Sequence, residues 1–289
     1  MISPVTAQDL LALCTMRLDV NGTATGTALV VAPRYAVATA HQVNGRRRTE
    51  VALCSRTGDT MLGHIEDVRP PARSVPAVRS STYPPPDLAL IRLQAEAPIC
   101  ALLAGQRPAL NSEVVAYGYT CTFDACSVTA ESEAFVLSGE LETTLPGFTL
   151  IKLGHGQAIQ GMSGAPVLGV SSGKVIGLLR TSRDGGSGNL GAWVIPADLI
   201  RQQWPEQVAA GHDSFHSRDD RWRRVSSDIT AAEGPSRPAG APPASQIGSI
   251  VGGAAPTSVI IQSSFRDITV SGSPVLPPGG SLPVDGADG

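Results

Sequence analysis

Between Thr23 and Ile195 the chain is a succession of short apolar or alternating runs, each closed by Gly, Pro, Asn or Asp, with no amphipathic helix between them. That pattern fits strands joined by tight turns and disfavours the strand-helix-strand units of a parallel sheet. Ten strands are predicted: Thr25 to Val31, Tyr35 to Ala40, Val51 to Ser55, Leu88 to Leu93, Val114 to Tyr119, Ala134 to Leu141, Phe148 to Leu153, Pro166 to Val170, Val175 to Leu179 and Ala192 to Ile195. The stretch Ala95 to Ser112 divides them into two comparable sets, so an all-β fold of two antiparallel barrels is expected. High Gly (31) and Pro (23), with only 4% aromatic and 16% charged residues, agree with many short strands. The length, 289 residues, suffices for a core that needs no staples.

The ends read differently. After Pro196, Leu199, Ile200 and Gln203 share one face of a short helix that Pro205 interrupts. From Gly211 the composition turns to Ser, Ala, Gly, Pro and charge, which buries too little apolar surface to order itself. The expected organisation is a domain over residues 1–210, with barrel one at 18–95, barrel two at 112–198 and the terminal helix at 197–210. Residues 211–289 are expected to form a largely disordered tail in which the β-prone segment 257–272 is able to add a strand to a partner's sheet. The basic run from Arg218 (RDDRWRR) reads as a solvated stretch, with anion binding as the weaker alternative.

No basic region precedes the apolar residues of the N-terminus, and Asp9, Thr15, Arg17 and Asp19 interrupt them, so neither a signal peptide nor a membrane span is expected. A net charge of -3 provides no basic field for nucleic acid or an anionic membrane. Cys14, Cys54, Cys100, Cys121 and Cys126 are odd in number and scattered, as suits reduced thiols in a cytoplasm. Cys121 and Cys126 are near enough in sequence to bridge or to be half of a metal clip, but no second Cys/His pair has zinc-ligand spacing, and no metal is expected.

Three strings carry chemistry. In GTALVVAPRYAVATAHQV a hairpin leads into a turn bearing His41, and the small residues before it let the imidazole, a suitable general base, point into a cleft. In PPPDLALIRL, Asp87 opens an alternating strand, where a carboxylate can accept from an imidazole Nδ1 and fix its tautomer. In QAIQGMSGAPVL, Ser163 sits among glycines whose freedom lets the amides of Gly161 and Ser163 converge as an oxyanion hole. His64, His212 and His216 are weaker candidates for the base, and Asp59 and Asp67 for the acid, because they lack these local settings.

Together, ATAH (Ala38 to His41), DLAL (Asp87 to Leu90) and GMSGAP (Gly161 to Pro166) resemble the trypsin-like peptidases, especially the bacterial Do-type branch. In that family TAAH holds the base, D-[IL]-A-[LV] the acid and G-x-S-G-x-P the nucleophile. The resemblance runs from about Leu18 to Leu199, with echoes in VVAYGY, KVIGLL and WVIPADLI. It implies a chymotrypsin-like double barrel, a site in the cleft between the barrels, and a serine endopeptidase that needs no cofactor and acts on peptide or protein through an acyl-enzyme. It also implies a specificity pocket formed by His155, Gln157, Leu178, Leu179, Arg180, Thr181, Ser182 and Trp193.

Two departures stand out. Where animal trypsins carry the Asp that pairs with a new N-terminus, this chain has Met162, so activation of that kind is not expected. Nothing after Gly211 is long or apolar enough for the PDZ module of the Do-type branch, which makes the tail the place to expect a regulatory protein partner. A protease fold that is catalytically silent, or latent until a partner orders the loops near Gln157 and Asp184 to Asn189, is the alternative. The carbonyl of Gly161, turned inward, would dismantle the oxyanion hole and so tells the readings apart.

Overall fold

The computed structural model describes residues 5–71, 83–121, 128–142, 148–154, 156, 158–159, 161–182 and 191–232. All of them belong to one unit, Met1–Arg237; the second unit, Pro238–Gly289, and with it the segment 257–272, lies outside the described residues.

Twelve strands are described: β1 (Thr15–Val20), β2 (Thr23–Ala32), β3 (Tyr35–Thr39), β4 (Glu50–Cys54), β5 (Thr60–Arg69), β6 (Leu88–Leu93), β7 (Glu113–Cys121), β8 (Val128–Glu142), β9 (Thr149–Leu153), β10 (Pro166–Gly169), β11 (Lys174–Ser182) and β12 (Ala192–Pro196). They close into two barrels, β1-β2-β3-β6-β5-β4 and β10-β11-β12-β9-β8-β7, with antiparallel pairing throughout. The second order is the first one repeated, since β7-β8-β9-β12-β11-β10 is the same winding. The expected all-β double barrel is the observed fold.

Strands β2, β3 and β6 read as continuous apolar runs because both of their faces are buried, in different cores. Ala28, Val30, Ala36, Ala38, Ala89 and Ile91 fill barrel one. Their neighbours Leu29, Val31, Val37, Leu88 and Leu90 face outward into a central core, where they meet Leu168, Val175, Leu178 and Ile195 of the second barrel. The remaining barrel-two side chains, among them Val114, Ile151, Val167, Ile176 and Val194, form a third cluster. Alternation along a strand therefore sorts residues between cores rather than between core and water. The connector ties the barrels in the same place: Ala101 N–H donates to Val30 O (2.9 Å) and Ala104 N–H to Val175 O (2.8 Å).

Of the four helices described, α1 (Ala7–Cys14), α2 (Ala197–Gln203) and α4 (Arg221–Ala232) cover this central core, while α3 (Ala210–Arg218) sets Phe215 against barrel one. Helix α1, capped reciprocally by Thr6 and Asp9, inserts Leu10, Leu11 and Cys14. Helix α2 and the π-type turn Pro205–Ala209 add Leu199, Ile200, Trp204 and Val208.

The ordered domain does not stop at residue 210. Helices α3 and α4 continue it to Ala232, and Trp222, 0% exposed, joins the central core and donates its indole N–H to Cys100 O (2.7 Å). These helices are polar along most of their length and are held by a few anchors, a signature too sparse for hydrophobic periodicity to reveal. Replacing Trp222 with Ala is expected to cost about 3–5 kcal/mol, read as a lowered urea midpoint.

Helix α3 also satisfies the backbone of the connector. His212 Nε2 accepts from Leu103 N–H (3.0 Å), which leaves the proton on Nδ1, next to Asp213 (3.0 Å) and Arg201 (2.8 Å). His216 Nε2 donates to Ala101 O (3.1 Å). Burial pushes the His212 ring down to about 4, and lowers His216 as well. Between that value and the ordinary histidine pKa of about 6.5 the unfolded chain binds the proton that the folded chain refuses, so stability falls with pH across this window. Denaturant midpoints from pH 7 to 4 should show wild type losing up to roughly 3 kcal/mol more than His212→Gln, which cannot titrate.

Candidate active site

The turn carrying His41 is a single 3-10 turn, Ala40–Val43, that follows β3 and ends where Asn44 enters the left-handed region (φ 50°). Asp87 caps it. Its backbone carbonyl accepts from Ala40 N–H (3.1 Å), its Oδ1 from His41 N–H (3.0 Å), and its Oδ2 faces His41 Nδ1 (2.8 Å). An acceptor at Nδ1 places the ring proton there and leaves the lone pair on Nε2, whose neighbour is Thr39 Oγ1 at 3.4 Å. Asp87 reaches this position with φ 56°, a left-handed conformation that Asp tolerates better than bulky residues, at the entrance to β6.

The second acceptor site on Oδ2 is taken from the other barrel. Arg180 Nε donates to it (3.0 Å), and another guanidinium nitrogen donates to Tyr83 O. Arg180 is 8% exposed and Asp87 1%. Arg180 lies at a β-bulge: Leu179 pairs with Val194 and Thr181 with Trp193, with the register shifting between them. An extra residue of this kind re-aims its side chain out of the alternating pattern.

Ser163 sits in a loop docked onto barrel one. Its carbonyl accepts from Thr27 N–H (3.0 Å) and from Gln42 Nε2 (2.6 Å), while Gln42 Oε1 accepts from Thr39 N–H (3.0 Å). One buried amide side chain thus joins the His41 turn to the Ser163 loop. The Gly161 carbonyl is turned to Thr27 Oγ1 (3.2 Å), and the amides of Gly161 and Ser163 have no acceptor among the described residues. Such a pair of unclaimed N–H groups is what an oxyanion hole requires. The Ser163 hydroxyl donates to Arg180 O (3.1 Å), not to His41.

The trypsin-like peptidase domain matches residues 26–178, more than half of the chain. The chain belongs to that family. No curated protein sequence matches it. Among solved structures, this trypsin-like peptidase domain is similar to the Rv3671c protease of M. tuberculosis in its active form (17% identity, 71% of this chain and 88% of that one, TM-score 0.50). It is equally similar to the inactive form (16%, 71% and 98%, 0.51) and to the HtrA-type protease AlgW with a decapeptide (16%, 70% and 68%, 0.51). At these identities the likeness is one of fold.

In this trypsin-like peptidase domain the structure brings His41, Asp87, Gly161 and Ser163 to one place at the barrel junction. The expected pocket fares differently. Leu178 and Leu179 are core side chains, one in the central core and one in barrel two, and the Arg180 guanidinium is buried against Asp87, so these three side chains do not line a pocket. Trp193 lies partly buried against the central core. His155 and Gln157, and the side chains of Thr181 and Ser182, fall outside the described residues, as does the whole loop from Asp184 to Asn189. Met162 is buried in barrel two. His64 lies in β5 opposite Glu50 and Arg92, and Asp67 pairs with Arg69 (2.9 Å).

Sequence reasoning missed Gln42 and Thr27, which dock the serine loop. The one signal available was the pair of glycines facing them, Gly26 against Gln42 and Gly164 against Thr27. A Cβ on Gly164 would lie 1.9 Å from Thr27 O, and φ there is +82°. Gly58 has φ +92° but nothing within 4 Å. Gly164→Ala should therefore cost about 2–4 kcal/mol, and Gly58→Ala only about 1, in chemical denaturation. Equal losses would mean that backbone strain alone, and not the close approach, constrains Gly164.

Proposed function

We propose that this trypsin-like peptidase is a serine endopeptidase in which Ser163 is the nucleophile, His41 the general base and Asp87 the group that orients the base. The observation that carries the reading is the chain of contacts from Asp87 Oδ2 to His41 Nδ1 at 2.8 Å, with the Ser163 loop locked to the same turn through Gln42. In the reaction the Ser163 hydroxyl leaves the Arg180 carbonyl and attacks the scissile carbonyl carbon. His41 Nε2 takes its proton, and the oxyanion forms at the amides of Gly161 and Ser163. Collapse breaks the C–N bond, the amine leaves with the proton from His41, and water repeats the cycle on the acyl-enzyme. A substrate N–H that occupied Arg180 O would displace the serine hydroxyl from it, so that binding itself would free the nucleophile.

One observation favours a second reading, a catalytically silent module that captures peptides in its cleft: at rest the hydroxyl of Ser163 is given to a carbonyl and not to His41. A fluorophosphonate probe separates the two. Under the peptidase reading it labels Ser163 in the wild type, fails with Ser163→Ala, and reacts on the order of 10³-fold more slowly with His41→Ala. A folded wild type that stays unlabelled would leave the silent module standing.

A further inference from the structure

We propose that Arg180 is a positioning residue that couples the acid to the nucleophile. From a bulge in barrel two its guanidinium fixes the Asp87 carboxylate of barrel one, while its own carbonyl receives the Ser163 hydroxyl. The inference rests on the reading of Ser163, His41 and Asp87 as the reacting machinery, and it adds a fourth residue to them.

Four observations support it. The bulge re-aims the side chain: Leu178 enters the central core and Leu179 that of barrel two, and without the extra residue alternation would send position 180 the way of Leu178. The guanidinium is spoken for, with Nε on Asp87 Oδ2 at 3.0 Å and a second nitrogen on Tyr83 O, so it is neither a surface charge nor a substrate contact. Asp87 has few donors of its own. Its Oδ2 is reached by the His41 ring and by Arg180, its Oδ1 by His41 N–H, and among the described residues no further donor reaches them. Finally, the same residue's carbonyl takes the Ser163 hydroxyl at 3.1 Å. A planar guanidinium held at two points cannot follow a shift of the bulge backbone without moving on the carboxylate. Displacement of the serine from the carbonyl of Arg180 is therefore felt at Asp87, and through Asp87 at the His41 ring.

The test compares Arg180→Lys, Arg180→Met and Arg180→Ala with the wild type, with thermal melts confirming that each is folded. On a peptide ester, Arg180→Met should lower kcat about 10- to 100-fold and change KM by less than about threefold, as expected for misplacement of a catalytic group. Arg180→Lys should recover part of the loss, and methylguanidine added at millimolar concentration should restore part of the activity of Arg180→Ala. A second readout needs no activity: the downfield proton resonance of His41 Nδ1–H, assigned by its loss in Asp87→Ala, should move or vanish in Arg180→Met. Should Met prove too disruptive to fold, the lysine variant and the same resonance decide. An unchanged kcat together with an unchanged resonance in folded Arg180→Met overturns the proposal while leaving the peptidase reading intact. A wild type that turns over no substrate instead sinks the peptidase reading, and the resonance then judges the Arg180 to Asp87 coupling alone.

Discussion

A carboxylate as buried as that of Asp87 has lost its water, and protein donors must replace what water supplied, at a cost of several kcal/mol if they do not. Much of the junction follows from this requirement. One oxygen is met by the backbone N–H of His41 and the other by its ring, so the residue that needs a donor is also the cap of the turn that offers one. The remaining acceptor capacity draws a guanidinium across from the opposite barrel. The two barrels therefore cannot separate or rotate at this point without exposing an unpaired charge, which is a stronger constraint on their relative position than hydrophobic contact, whose energy is indifferent to small sliding.

Hydrophobic burial supplies the breadth of the junction instead. The outward faces of β2, β3 and β6 and those of β10, β11 and β12 share one core with α1, α2 and α4, so the cleft is built on a floor to which both barrels and both ends of the domain contribute. The backbone of the connector crossing that floor would be costly without partners, and α3 meets the need with two histidines and α4 with an indole. The helices at the end of the domain are thus a roof over backbone that the barrels leave unsatisfied, which explains why so polar a segment is ordered.

The residues brought together at the site were legible because their settings are local. A base in a tight turn, an acid at a strand entrance and a serine among glycines each announce themselves within a few positions. The strands missed were β1 and β5, in which charged residues break the apolar run: Arg17 and Asp19 pair with each other at 2.7 Å on β1, and Glu66 and Asp67 interrupt β5. Helix α1 carried a readable mark, the T-x-x-D capping pair, but is only eight residues long. The role of Arg180 was hidden for a different reason. In KVIGLLRTS an Arg after the apolar run looks like the point at which a strand leaves the core, and only the shift of register reveals that it turns inward to another barrel.

The resting place of the Ser163 hydroxyl bears on how often the site is assembled. A neutral hydrogen bond to a carbonyl has a net worth of about 1 kcal/mol, which biases a two-state equilibrium by only about fivefold. A hydroxyl held by that one bond still visits the alternative rotamer for a substantial fraction of the time, on the fast timescale of side-chain rotation. The parked serine is then a population and not a lock, and any ligand group that competes for the same carbonyl shifts that population by the strength of a single hydrogen bond.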